Sequence, residues 1–242
     1  MTIKTLACSL ILSIAVLSGS SADEMAESDM RLQADGGNWQ LDRTKINDPT
    51  LPRVLLIGDS ILIGYKKIVY KELKGKANVD AWTNPHFHSE KLNQKLSEVL
   101  DSGPYDIVHF NIGLHGWQEG RIKPGTYEPL TIAFLSVIRK KLPKAKIVWA
   151  NTTPVTTKER PFKLDSSINN IIVEHNQLAA GIMKNAGIPV NDFYGLLTDH
   201  LNLAQGDGFH WTPPAYQMLA SKTTASVMQQ IDSMTKLGAS TR

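Results

Sequence analysis

Cysteine is almost missing from this chain: Cys8 is the only one. It lies inside an apolar stretch, Leu6 to Leu17, that follows Lys4 and leads into the small residues Ser20-Ser21-Ala22. That pattern reads as a secretory signal peptide over residues 1–22, with cleavage after Ala22. Cys8 sits within the stretch rather than at its end, which argues against a lipid anchor. The mature chain is then expected to have neither a disulfide nor a thiol nucleophile, although a secreted or periplasmic location is oxidising. Charge of one sign is also scarce. The 26 Lys and Arg against 23 Asp and Glu leave a formal net charge of +3, with both signs interspersed. No basic stripe interleaved with aromatics is present, so nucleic acid is a poor partner. After residue 22 no run is apolar for long enough to cross a bilayer. There is no His-Glu-x-x-His, and no acidic cluster accompanies the His86-x-His88 loop, which disfavours metal-dependent chemistry. No cofactor is called for.

What is present alternates in period. Residues 23–50 are a polar lead-in with turn signals at Gly36-Gly37 and Asp48-Pro49, ordered where Trp39 or Leu41 finds a surface. From residue 51 to 242 short apolar runs alternate with helical stripes. The runs are Arg53 to Gly58, Val79 to Trp82, Ile107 to Phe110, Lys146 to Ala150 and Pro189-Val190. Between and after them come helical patterns such as Leu130, Ala133, Phe134, Val137, Ile138 and Leu142. Five short strands alternating with helices imply right-handed crossovers and a parallel sheet covered on both faces. Ligands bind such sheets at the carboxyl ends of the strands. Ser60 falls at the first of those ends.

Gly58-Asp59-Ser60 closes the first strand, and Asp207-Gly208-Phe209-His210 precedes the last helix. A serine hydroxyl needs a base within hydrogen-bond reach and a third group to orient that base. His210 can be the base, and Asp207 can hold its ring in the required tautomer. At a helix N-terminus, Ser60 would also offer its own backbone N–H to a developing oxyanion. The same residues have plainer uses: Asp59-Ser60 suits a helix cap, and Asp207-Gly208 suits a turn. The order Ser, Asp, His matches α/β-hydrolases, but Leu62 stands where their Gly-x-Ser-x-Gly needs glycine.

Ile57-Gly58-Asp59-Ser60-Ile61 and Asp207-Gly208-Phe209-His210-Trp211-Thr212, followed by Ala215-Tyr216 and Leu219-Ala220, resemble the first and last blocks of the SGNH (GDSL-like) hydrolases. The resemblance extends over most of residues 53–232. It implies a three-layer, flavodoxin-like α/β fold with a five-stranded parallel sheet. It also implies a serine esterase with Ser60 as nucleophile, His210 as base and Asp207 as its partner. The middle blocks depart from the family pattern, which takes oxyanion donors from a glycine after the second strand and an asparagine after the third. Here His115, in Asn111-Ile112-Gly113-Leu114-His115-Gly116, takes the asparagine's place, and Asn84-Pro85-His86-Phe87-His88-Ser89 contains no glycine. A neutral imidazole can donate to an oxyanion. The expected donors are therefore the Ser60 N–H with His115 or Asn111, and the backbone N–H of whichever of His88 and Ser89 occupies the second block. Asp59, Trp117 and Trp211 are the candidate substrate contacts, since sugar rings are often held against aromatic faces. His109 and His175 read as core residues. The implied substrate is a small-molecule or glycan ester with a short acyl group such as acetyl. The competing readings are a catalytically weak carbohydrate-binding protein on this fold, and a lipase or lysophospholipase.

Overall fold

The computed structural model describes residues 39–46 and 48–240. The expected signal peptide and residues 23–38 of the lead-in lie outside the described residues.

The apolar runs become strands and the stripes become helices, in the alternation that the sequence implies. In chain order these are β1 (Leu41–Asp42), β2 (Arg53–Gly58), α1 (Ser60–Glu72), β3 (Asn78–Thr83), α2 (Glu90–Leu100), β4 (Ile107–Phe110) and α3 (Tyr127–Lys141). They continue with β5 (Lys146–Ala150), α4 (Ser166–Asn185), β6 (Val190–Asn191), α5 (Phe193–Thr198) and α6 (Pro213–Ser240). The sheet order is β1-β3-β2-β4-β5-β6. The five expected strands, β2 to β6, are parallel to their neighbours, and their order is that of flavodoxin-like sheets. The sixth strand is a difference. Residues 41–42 of the lead-in pair antiparallel with β3, Leu41 opposite Trp82.

Continuous apolar strands are explained by two-sided burial. Alternate residues of β2 face opposite layers. Val54 and Leu56 join α1 residues Ile61, Tyr65 and Val69 and α6 residues Leu219 and Val227. Leu55 and Ile57 join Leu92 and Leu96 of α2, Phe134 and Ile138 of α3, and Met183 of α4. The lead-in is tied down by polar contacts. The Thr83 N–H donates to the Gln40 carbonyl at 3.0 Å, and Lys66 reaches the Asp42 carboxylate at 2.8 Å. Thr44 N–H and Arg53 both donate to buried Asp80, at 2.8 and 2.6 Å. Among the described residues no helix is long and apolar enough to cross a membrane.

Reversal of strand order leaves a crevice where the chain leaves β2 and β4. Ser60 and the Leu114–Gly116 turn, which carries His115, follow those two strands.

Two histidines are built into the layers. His109 of β4 is fully buried, with Nε2 3.0 Å from the Asn191 amide, and burial pushes its pKa down to about 4. His88 packs edge-on against Tyr127 and Phe134. Burial, with His175 adding to it, pushes its pKa down to about 3. Both rings stay neutral in the folded chain, whereas in the unfolded chain they protonate as pH falls through about 6.5. The unfolded state therefore binds more protons in that window, and stability falls with falling pH. Two such groups give a slope of up to about 2.7 kcal/mol per pH unit between roughly pH 6 and pH 4. Urea midpoints measured across that range should fall accordingly, and His88→Phe should remove about half of the slope. An unchanged slope in that variant would show that His88 does not contribute to it.

Candidate active site

The structure brings together the residues from the two ends of the domain. Ser60 is the first residue of α1, with Asp59 as N-cap. The His210 Nε2 lies 2.9 Å from the Ser60 Oγ, across 150 positions of sequence. On the other side of the ring, Nδ1 lies 2.5 Å from the Asp207 Oδ2. A carboxylate can only accept, so the proton belongs on Nδ1, which leaves Nε2 free to accept from the serine. Asp207 also shapes the loop. Its Oδ1 accepts from the N–H groups of Phe209 and His210 at 2.9 and 2.8 Å. Burial alone would raise the Asp207 pKa, but those donors and the His210 ring hold it below the usual carboxylate range. Gly208 has φ of 96°, a conformation that side-chain-bearing residues rarely adopt, and its carbonyl accepts from the Thr156 N–H at 2.8 Å. The loop returns through a bridge between Ala204 and Trp211.

Three of the remaining expectations, for Trp211, Asp59 and Asn111, are corrected, and the His88 ring is located. Trp211 is 2% exposed and belongs to the core that the loop closes over, so it does not line a substrate site. Asp59 is also 2% exposed. Its Oδ1 accepts from the Ile61 N–H at 2.9 Å, so it caps α1 and does not reach solvent. The His88 ring packs against Tyr127 and Phe134 of α3, and in the same loop the His86 N–H donates to Asn84 Oδ1 at 3.1 Å. The Asn111 carboxamide crosses to β5 and donates to the Ala150 carbonyl at 2.8 Å, so it braces two strand ends.

His115 and Trp117 remain at the crevice. Burial raises the Asp59 pKa, while His115, the Ile61 N–H and His210 oppose that rise, so both imidazoles act on this one carboxyl group. Trp117 is half-buried and stacks on Phe209 of the Asp207 loop, with centroids 6.1 Å apart and planes 20° apart. Trp39 of the lead-in lies edge-to-face against His115 at 6.1 Å.

Sequence reasoning missed the supports. Asn176 of α4 holds Thr152 by both backbone groups, accepting from its N–H at 2.9 Å and donating to its carbonyl at 3.0 Å. Asn169 holds Val155 in the same two-way manner. These asparagines are seven apart on one face of α4, a signal that was available. Thr152 in turn fits against Gly113, where an added Cβ would stand 1.9 Å from its Oγ1. Among the described residues no group of three or more His, Cys, Asp and Glu forms a metal-binding cluster.

No protein-family model matches the chain, and no curated protein matches it either. Solved structures do. A carbohydrate esterase family 3 protein from Talaromyces cellulolyticus matches with a TM-score of 0.60 at 15% identity, covering 76% of this chain and 99% of its own. A lipase/acylhydrolase from Enterococcus faecalis matches with a TM-score of 0.57 at 18% identity, covering 73% and 95%. An acetyl xylan esterase matches with a TM-score of 0.58 at 15% identity, covering 72% and 99%. The fold is that of the SGNH (GDSL-like) hydrolases. In this chain the loops after β2 and β4 and the loop before α6 carry Ser60, His115 and His210.

Because Gly113 admits Thr152, Gly113→Ala should force the β4-exit loop off its support. The expected result is a loss of about 1–3 kcal/mol in stability. Thr152→Ala, which removes the clashing oxygen, should recover part of it. Thermal denaturation of the single and double variants checks both, and a double variant no better than Gly113→Ala would place the clash elsewhere.

Proposed function

We propose that this chain is a serine esterase that hydrolyses a short-chain ester, acetyl in the first instance, on a carbohydrate. The observation that carries the reading is the continuous relay from Ser60 Oγ to His210 Nε2 and from Nδ1 to Asp207. In this reading His210 takes the Ser60 proton as Oγ adds to the ester carbonyl. The tetrahedral oxyanion is held by the Ser60 N–H, which has no acceptor within α1, and by His115. Collapse breaks the C–O bond to the alcohol, which leaves with the proton from His210. Water then attacks the acyl-enzyme with His210 as base, and the carboxylic acid departs as Ser60 regains its proton. Asp207 stays ionised throughout and stabilises the imidazolium.

The acetyl and carbohydrate parts rest on other support. Structures with the same fold include carbohydrate and acetyl xylan esterases, and the half-buried Trp117 offers an aromatic surface beside the catalytic loop. The expected signal peptide makes the working location the periplasm or the exterior.

Hydrolysis of p-nitrophenyl acetate by the mature chain is the direct test, with a longer-chain ester for comparison. Ser60→Ala should abolish turnover, and the shorter ester should be preferred. Asp207→Asn should fold normally yet lose roughly 10³–10⁴-fold in kcat, because the ring then settles in the wrong tautomer. Equal turnover in the Ser60 variant would overturn the reading, and a preference for the long ester would redirect it to a lipase.

A further inference from the structure

His115 is held at two points, its carbonyl and its ring, by residues far apart in sequence. Arg121 holds the first. It is only 6% exposed, and its Nη1 donates to the His115 carbonyl at 2.9 Å and to the Gln118 side chain. Its own N–H donates to the Gln118 carbonyl at 3.1 Å, closing the turn. The guanidinium lies 6.0 Å over the ring of Phe87, a buried residue of the loop after β3. Phe87 also packs on Ile122, and Ile122 lies so close to Gly116 that a Cβ there would meet it at 2.7 Å. Arg121 therefore bridges the exits of β3 and β4, the two loops that depart most from the family pattern.

Trp39 holds the second point. Its ring meets the His115 ring at 85° with centroids 6.1 Å apart. It is carried there by the lead-in, which pairs Leu41 with Trp82 and Gln40 with Thr83. Burying a guanidinium is costly unless its donors are used, and a carbonyl in a three-residue turn needs a donor from outside that turn. Fixing that carbonyl fixes the backbone on which the imidazole is mounted, and an edge-to-face ring fixes its rotation.

We propose that Arg121 and Trp39 are positioning residues that hold His115 in place as an oxyanion donor. The inference rests on the esterase reading of the site. It explains why an arginine is buried beside the β4 exit, and why the polar lead-in is stitched to the sheet edge at this end. Lysine would keep the charge but not the planar fork or the stacking on Phe87.

The test is a set of double-mutant cycles through His115, read in three ways: kcat and KM for p-nitrophenyl acetate, the rate at which Ser60 is phosphorylated by diethyl p-nitrophenyl phosphate with loss of p-nitrophenolate, and the melting temperature. In the otherwise wild-type chain, Arg121→Lys and Trp39→Ala should each lower kcat and the phosphorylation rate by roughly 10–100-fold with KM little changed. Trp39→Phe, which keeps a ring, should recover most of that loss. In the His115→Ala background the same substitutions should cost almost nothing further, since the group they position is gone. Losses that multiply in that background, or that fall on KM, would overturn the proposal. If Arg121→Lys fails to fold, the Trp39 cycle alone decides. A His115→Ala chain as fast as wild type, with Ser60 still required, would overturn the proposal and leave the esterase reading standing. A wild-type chain showing neither turnover nor Ser60 labelling would remove both.

Discussion

The site depends on how the sheet ends. Beyond the last ladder bond each parallel strand leaves backbone groups that must still find partners. In this chain carboxamides supply many of them. The Asn84 N–H and side chain both turn to the Gly58 carbonyl, Asn111 reaches Ala150, and Asn151 accepts from the Phe193 and Tyr194 N–H groups. Asn176 and Asn169 clamp Thr152 and Val155 from α4. A carboxamide offers a donor and an acceptor in the geometry of a peptide group, so it extends the ladder where the strands diverge. The loops that bear Ser60, His115 and His210 start from or lean on these braces.

The long-range part of the assembly rests on one short loop. Asp207 bonds two backbone N–H groups with one oxygen and the His210 ring with the other. The same carboxylate therefore folds the loop and holds the His210 ring. Trp211 anchors the following residue in the core, and Thr156 grips the Gly208 carbonyl from the β5 exit. Such a site is organised before substrate arrives, which is where electrostatic catalysis gets most of its effect.

What was legible in the sequence follows from the same physics. Val54 to Ile57 reads as a strand because burial on both faces leaves no alternation to misread. Ser60, Asp207 and His210 stand out because helix caps and turns are local, and local spacing survives in the sequence. β1 was not legible: it has two residues, and its pairing is fixed by Asp42, Gln40 and Thr44 contacts some 24–43 positions away. The His88 ring was not legible because it lies in the loop after β3, where strand alternation no longer applies and its partners, Tyr127 and Phe134, come from α3. Trp211 looked like a rim residue because it follows His210, yet it is buried in the core beneath the loop. Arg121 carries no motif at all, since its partner is a backbone carbonyl.

Asp59 joins these observations. Its place between strand and helix makes it the N-cap of α1, directly before Ser60. Burial disfavours its charge, while His115 and His210 favour it. An asparagine at position 115 would donate a hydrogen bond without entering that balance. Histidine there adds a second ring to the field of one buried carboxylate, on the side where negative charge is proposed to develop. The departure from the family pattern at this position is thus tied to the motif residue that departs least. A change at Asp59 would act on the helix cap and on its interactions with both His115 and His210.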